Sequence, residues 1–218
     1  MVKINNKFSA VAGIIAVCLF IVSILLTAKY SHSFQNWYTT NEYFDWHTMA
    51  ISHFGVSNLA LPFTLIVCLT SLLVIYFMLG IKNRYGNKGL MKRGSSWIIT
   101  GFIALMLAFI SLLYEPNSTF SIAFHFLVAT IYFVCIPIGM MMLGVYFIKN
   151  KLKFGFTSLI LGIIAFVFGP IICMGSSIFF GDKGVAIPEF IQIVLEGIWI
   201  LLLAIDILKK DGKTFANQ

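Results

Sequence analysis

The sequence predicts an all-α membrane protein: one bundle of six transmembrane helices with both termini in the cytoplasm. Three observations carry that expectation. Hydrophobic residues make up 60% of the 218-residue chain and charged residues only 11%, whereas water-soluble globular chains run nearer half apolar and a quarter charged. The apolar residues fall into six runs, each close to the ~20 residues that cross a bilayer core. Thirteen of the fifteen Lys and Arg residues sit at the termini or in alternate connections, the bias that marks the cytoplasmic side of a membrane protein.

The first run covers 8–28 and is free of charge between Lys7 and Lys29. It is long enough to span and has no small-residue cleavage site, so it reads as a retained helix rather than a signal peptide. A polar and aromatic stretch, 30–58, follows it. The second span is expected over 59–79, with Asn58 as a cap and Pro62 tolerated in the first turn. Lys82, Arg84, Lys88, Lys92 and Arg93 then read as a basic loop. The third span, 97–114, ends where Glu115-Pro116 stops a helix. Asn117 and Ser118 can cap the fourth, 118–146, which contains His125. Lys149, Lys151 and Lys153 form the next basic loop. The fifth span, 154–178, carries Pro170 as a kink. The sixth, 188–208, opens at Pro188 and ends before Lys209 and Lys210. Together these make one integral membrane domain, 1–218, placed in the cell membrane.

Charge excludes less than it suggests. A net charge of +7 suits nucleic acid, but no aromatic-basic recognition motif accompanies it, so membrane lipids are the expected partners and nucleic acid is not. Cys18, Cys68, Cys135 and Cys173 all lie inside apolar runs, without a CxxC pair, and read as small apolar side chains.

Two helices carry patterned polar residues. Glu189, Gln192, Glu196 and Trp199 fall on one face of the sixth span, and His125, Tyr132 and Gly139 form a stripe on the fourth. Acidic groups in hydrocarbon are costly, so the Glu face should turn into the bundle or toward a wet cavity. In the fifth span Gly155, Gly162 and Gly169, with Ser158 and Ala165 between, make a seam for close helix approach. His125 lies about 10 Å deep from the outer side at 1.5 Å per residue, a depth comparable with that of Glu196.

The chemistry gathers on the side opposite the Lys and Arg bias. The stretch 45–58 holds Asp45, His47, Ser52, His53 and Asn58, and the topology adds Glu115, His125, Glu189 and Glu196. Ser52, His53, Asn58, Glu115, His125, Glu189 and Glu196 are the candidates to line one outward-opening cavity. His32 and His47 read as exposed loop residues. Histidines with carboxylates can bind Zn²⁺ and activate water, which makes His53, His125 and Glu196 the candidate metal ligands if the protein is an enzyme; no other cofactor is indicated. A Ser–His pair can serve as nucleophile and base, and a His–Glu chain can relay protons. No HExxH, GxSxG or phosphate-binding glycine loop is present.

Ile51-Ser52-His53-Phe54-Gly55 followed by Pro62-Phe63 resembles the start of the second span in the DUF998 family, uncharacterised six-helix membrane proteins. Glu115-Pro116 through His125 to Phe133 looks like that family's acidic-proline turn and membrane histidine. Gly184 to Glu189, continuing to Trp199, is similar to its last span. The chain departs from the pattern at His53, where an acidic residue usually follows the serine, and at Phe190, where an arginine often follows the glutamate. A more distant similarity exists to the Frag/DRAM/Sfk membrane proteins. The resemblance implies a six-helix fold and brings no established activity. The expectation is therefore a multi-pass protein that binds a lipid headgroup or partner in an outward cavity. The alternatives are an intramembrane lipid hydrolase or transferase using His and Glu, and a small-solute transporter.

Overall fold

The computed structural model describes residues 5–35, 40–47, 49–114, 118–176 and 185–216. Six helices are long and apolar enough to cross a membrane. They are α1 (Asn6–Tyr30), α2 (Ala60–Tyr85), α3 (Gly89–Tyr114), α4 (Thr119–Lys149), α5 (Gly155–Phe166) and α6 (Ala186–Ala216). The helix of α5 continues as a π-helical stretch, Val167–Cys173, and reaches Ser176. This is an all-α, multi-pass membrane protein.

Each helix packs on its neighbour in sequence, and α6 returns to pack on α1, so the bundle closes into a ring. Its outer surface is that of a protein solvated by lipid. Leu61, Leu65, Leu69 and Leu72 form one exposed stripe along α2, at a helical spacing that in water would be a large apolar patch. Phe77, Met78, Ile98, Met140 and Leu143 fill the interior.

Small residues set the closest approaches. A Cβ on Gly139 of α4 would lie 2.7 Å from the Gly94 carbonyl oxygen of α3, and one on Gly144 would lie 2.6 Å from the Leu159 backbone nitrogen of α5. Glycine weakens a helix by about 1 kcal/mol relative to alanine; here it lets backbones meet where lipid supplies no hydrophobic drive. The α5 seam works in the same way, with Gly155 against Ile148 and Gly162 against Met141.

Four local expectations need correction. The basic stretch 82–93 is mostly helix: α2 runs through Lys82 and Arg84, α3 begins at Gly89, and only 86–88 turn. Gly86 and Gly89, with φ of 93° and 54°, supply the left-handed backbone that turn requires. Basic side chains do not end a helix that leaves the hydrocarbon, because their long stems reach the interface. Asn58 does not cap α2, whose cap is Leu59; its side chain instead accepts from the His32 backbone N–H at 2.8 Å. Ser118 is the cap residue of α4 but makes no side-chain capping bond, and Asn117 lies outside the described residues. Finally, 30–58 is not simply a polar loop. It forms a β-hairpin, β1 (His32–Gln35) and β2 (Thr40–Tyr43) with His32 opposite Tyr43, and then a 3-10 helix, Ile51–Val56.

That 3-10 helix is a plug. Met49, Ala50, Ile51 and Phe54 are buried. Phe54 packs against Phe44 and Phe63, and Phe63 against Phe109, so an aromatic chain ties the plug to α2 and α3. Gly55 gives it room, since a Cβ there would lie 2.8 Å from Leu112.

Candidate functional site

The plug and the N-terminal end of α6 hold each other. The Ala186 N–H donates to the Met49 carbonyl at 3.0 Å, and the Ile51 N–H donates to Glu189 Oε2 at 2.5 Å. Plug amides have no strand or long helix to satisfy them, and a buried unsatisfied donor is costly. Glu189, one turn into α6, accepts that bond and is itself buried.

Beneath the plug lies a cavity of about 250 Å³. Ala50 and Ser52 come from the plug, His125, Ala129 and Thr130 from α4, Cys173 and Met174 from the end of α5, and Glu189 from α6. Phe126 and Phe133 complete an apolar wall. Phe126 is 41% exposed, so the cavity reaches the lipid-facing surface. A second space of about 40 Å³ lies inward and shares Ser52, His125, Ala129, Phe133 and Glu189 with the first. It extends the lining to Tyr132 and Ile193.

His125 Nδ1 lies 2.9 Å from the Ala108 carbonyl oxygen of α3. A carbonyl only accepts, so Nδ1 carries a proton and donates it to Ala108. The Thr130 hydroxyl donates to the Phe126 carbonyl at 2.7 Å, which spends its proton inside the helix.

Glu196 belongs to a deeper network. Tyr132 donates its hydroxyl to Glu196 Oε2 at 2.8 Å and Gln192 Nε2 donates to Oε1 at 2.6 Å. The Trp199 indole N–H donates to Ser158 Oγ at 2.9 Å. All four patterned residues of α6, Glu189, Gln192, Glu196 and Trp199, are buried. Glu196 borders a separate space of about 20 Å³ among α1, α2, α3 and α6, the size that holds a single water.

The sequence candidates therefore divide. Ser52, His125 and Glu189 share one cavity wall. His53 is buried in the plug, where its Nδ1 accepts from the Ala50 N–H at 2.7 Å. Asn58 latches the base of the hairpin to the plug, and Glu115 lies outside the described residues. Among the described residues no three His, Cys, Asp or Glu side chains gather as a metal set. His53, His125 and Glu196 thus do not form one: the first is turned toward Ala50, the second toward Ala108, the third toward Tyr132.

Residues 10–206 match the family described as "Protein of unknown function (DUF998)". The chain belongs to the DUF998 family. No curated protein and no solved structure matches it. In this DUF998 protein sequence reasoning passed over Thr130, Phe126, Met174 and the Ala108 carbonyl. Thr130 and Phe126 carry a usable signal: they lie within a turn and a half of His125 on α4. The Ala108 carbonyl carries none, because any backbone oxygen on α3 reads alike.

Proposed function

We propose that this DUF998 protein binds the polar headgroup of a membrane amphiphile in the cavity beneath the plug, on the outer side of the cell membrane. The cavity itself carries the reading. It joins a polar wall of Ser52, His125, Thr130 and Glu189 to an apolar wall that ends at the exposed Phe126. Sites for whole drug-sized ligands are about 300–1,000 Å³, so a space near 250 Å³ suits a headgroup whose chains stay in the bilayer past Phe126. The outer placement follows from the Lys and Arg bias.

Native mass spectrometry of the protein released from membranes tests this. A stoichiometric lipid adduct is expected. Ala129→Trp, which fills the cavity, should remove the adduct while leaving thermal stability within a few degrees of wild type. An adduct untouched by Ala129→Trp, or no lipid binding at all, sinks the reading.

A hydrolase is the second reading, favoured by one observation. Ser52 and His125 line both upper cavities, and the Ala108 carbonyl fixes the tautomer whose Nε2 would act as a base. In that reading Ser52 is the nucleophile. A fluorophosphonate probe would then label wild type and spare Ser52→Ala; absence of label in wild type removes it.

A further inference from the structure

The end of the bundle away from the plug carries positive charge that the protein leaves unneutralised. Between Lys82 and Arg93 stand five basic residues and no acidic one. The last turns of α2 and the first turns of α3 meet across the tight turn at 86–88, so these charges are drawn together rather than spread along a loop. Lys82 of α2 reaches over to α3, with its Nζ 3.5 Å from Ser96 Oγ. Lys92 stands one turn before Ser96 on the same face of α3, near enough for its charge to act on that of Lys82. Among the described residues no carboxylate pairs with Lys82, Lys88, Lys92 or Arg93. Two ammonium groups beside one hydroxyl repel each other unless an anion stands between them.

The groove between the two helices faces lipid. Lys92, Ser96 and Trp97 are exposed, whereas Met91, Gly94, Ser95 and Ile98 turn inward and are buried. Lys82 and Lys92 each stand three residues from their helix end, about 4–5 Å at 1.5 Å per residue. For helices about 39 Å long in a core of about 30 Å, that puts both at the hydrocarbon boundary, the level of lipid phosphates. Ser96 lies one turn further in, and the exposed Trp97 beside it is a residue type that favours this interface. We infer that the α2–α3 groove at this end binds the phosphodiester of an anionic phospholipid such as phosphatidylglycerol, between Lys82 and Lys92, with the Ser96 hydroxyl as a further donor. Basic clusters next to a span attract anionic headgroups, and here two of the charges converge from different helices on one hydroxyl. This site is separate from the cavity beneath the plug and does not depend on it.

The test titrates the full-length protein with phosphatidylglycerol or with phosphatidylcholine of the same chains, at low ionic strength, and counts adducts by native mass spectrometry. A lysine near an anionic headgroup contributes roughly a factor of five in affinity, so wild type should prefer phosphatidylglycerol roughly tenfold or more. The double substitution Lys82→Gln, Lys92→Gln should abolish that preference and leave phosphatidylcholine binding unchanged. Lys149→Gln, Lys153→Gln removes the same charge from exposed positions at the same end of the bundle and should keep the preference within roughly twofold. Equal losses in the two double variants would mean diffuse attraction and overturn the site. Equal binding of both lipids to wild type overturns it without any variant. Glycerol phosphate or inorganic phosphate displacing phosphatidylglycerol at equal concentration would keep a phosphate site and overturn its lipid occupant. Ala129→Trp, which fills the cavity beneath the plug, should leave the preference intact; its loss there would move the anionic lipid to that cavity and overturn the groove.

Discussion

A carboxyl group deep in a membrane bundle is tolerated only if its neighbours replace the water it has left, and the neighbours of Glu196 do so with two donors. Tyr132 and Gln192 each give one hydrogen bond, from α4 and from α6 itself. Interhelical hydrogen bonds in membrane proteins average about 0.6 kcal/mol, but a bond to a charged or potentially charged group is worth more, about 1.5–3 kcal/mol. Tyr132→Phe should therefore destabilise the protein by about 1–2 kcal/mol in mixed-micelle unfolding. The Tyr132→Phe, Glu196→Gln cycle should show coupling of about 0.5 kcal/mol or more; additivity within ~0.3 kcal/mol would mean that the bond contributes nothing. At this scale the sequence announced the costly groups and left their partners unnamed. Glu196 and Tyr132 each stood out on a patterned face, yet the spacing within one helix cannot say which neighbouring helix it meets. His125 and Glu196 were placed at comparable depth. The bonds the structure shows run instead from His125 to Ala108, and from Glu196 to Tyr132, two turns beyond His125 along α4.

Between residue and bundle, the π-helical stretch of α5 is where local chemistry shapes an element. Pro170 cannot donate a backbone hydrogen bond, and the wider π turn, Val167–Cys173, surrounds it as π-bulges often do at sites of backbone irregularity. Gly169 sits in this turn against Gln192, whose Oε1 has no hydrogen-bond partner among the described residues. A Cβ at Gly169 would collide with that amide oxygen. Gly169→Ala should thus cost about 1–3 kcal/mol, the usual range for overpacking, although alanine is intrinsically the better helix former. The decisive measurement places Gly169→Ala in a Gln192→Ala background. There the clash is gone, and the substitution should become neutral or stabilising; an unchanged penalty would put the strain in the backbone instead. The seam containing Gly169 was legible as a seven-residue repeat of glycine, and Pro170 as a break. The plug was not. Its burial follows from aromatic contacts between 44 and 109; the polar residues of the stretch marked Ser52 and His53 as cavity candidates, but nothing in its pattern showed a 3-10 helix packed on α2 and α3.

For the whole molecule, the six spans were the most legible feature, because a bilayer admits few alternatives to a continuous apolar helix. Their ends were less so. Composition marks where hydrocarbon stops, whereas helices run on until backbone geometry stops them, as at Gly86 and Gly89. Orientation rests on the Lys and Arg count alone and makes the last prediction. A helix of 26 residues is about 39 Å long at 1.5 Å per residue, some way beyond a core of about 30 Å, so Lys88 in the turn after α2 lies clear of the membrane. Tyr43, 70% exposed at the end of β2, lies before α2 and hence on the opposite side. The native thiols all lie within helices, at Cys18, Cys68, Cys135 and Cys173, and can be replaced by alanine to give a silent background. In intact cells an impermeant maleimide should label Tyr43→Cys and leave Lys88→Cys untouched until the cells are opened. Labelling of Lys88→Cys from outside would invert the protein. It would also move the cavity beneath the plug to the cytoplasmic leaflet.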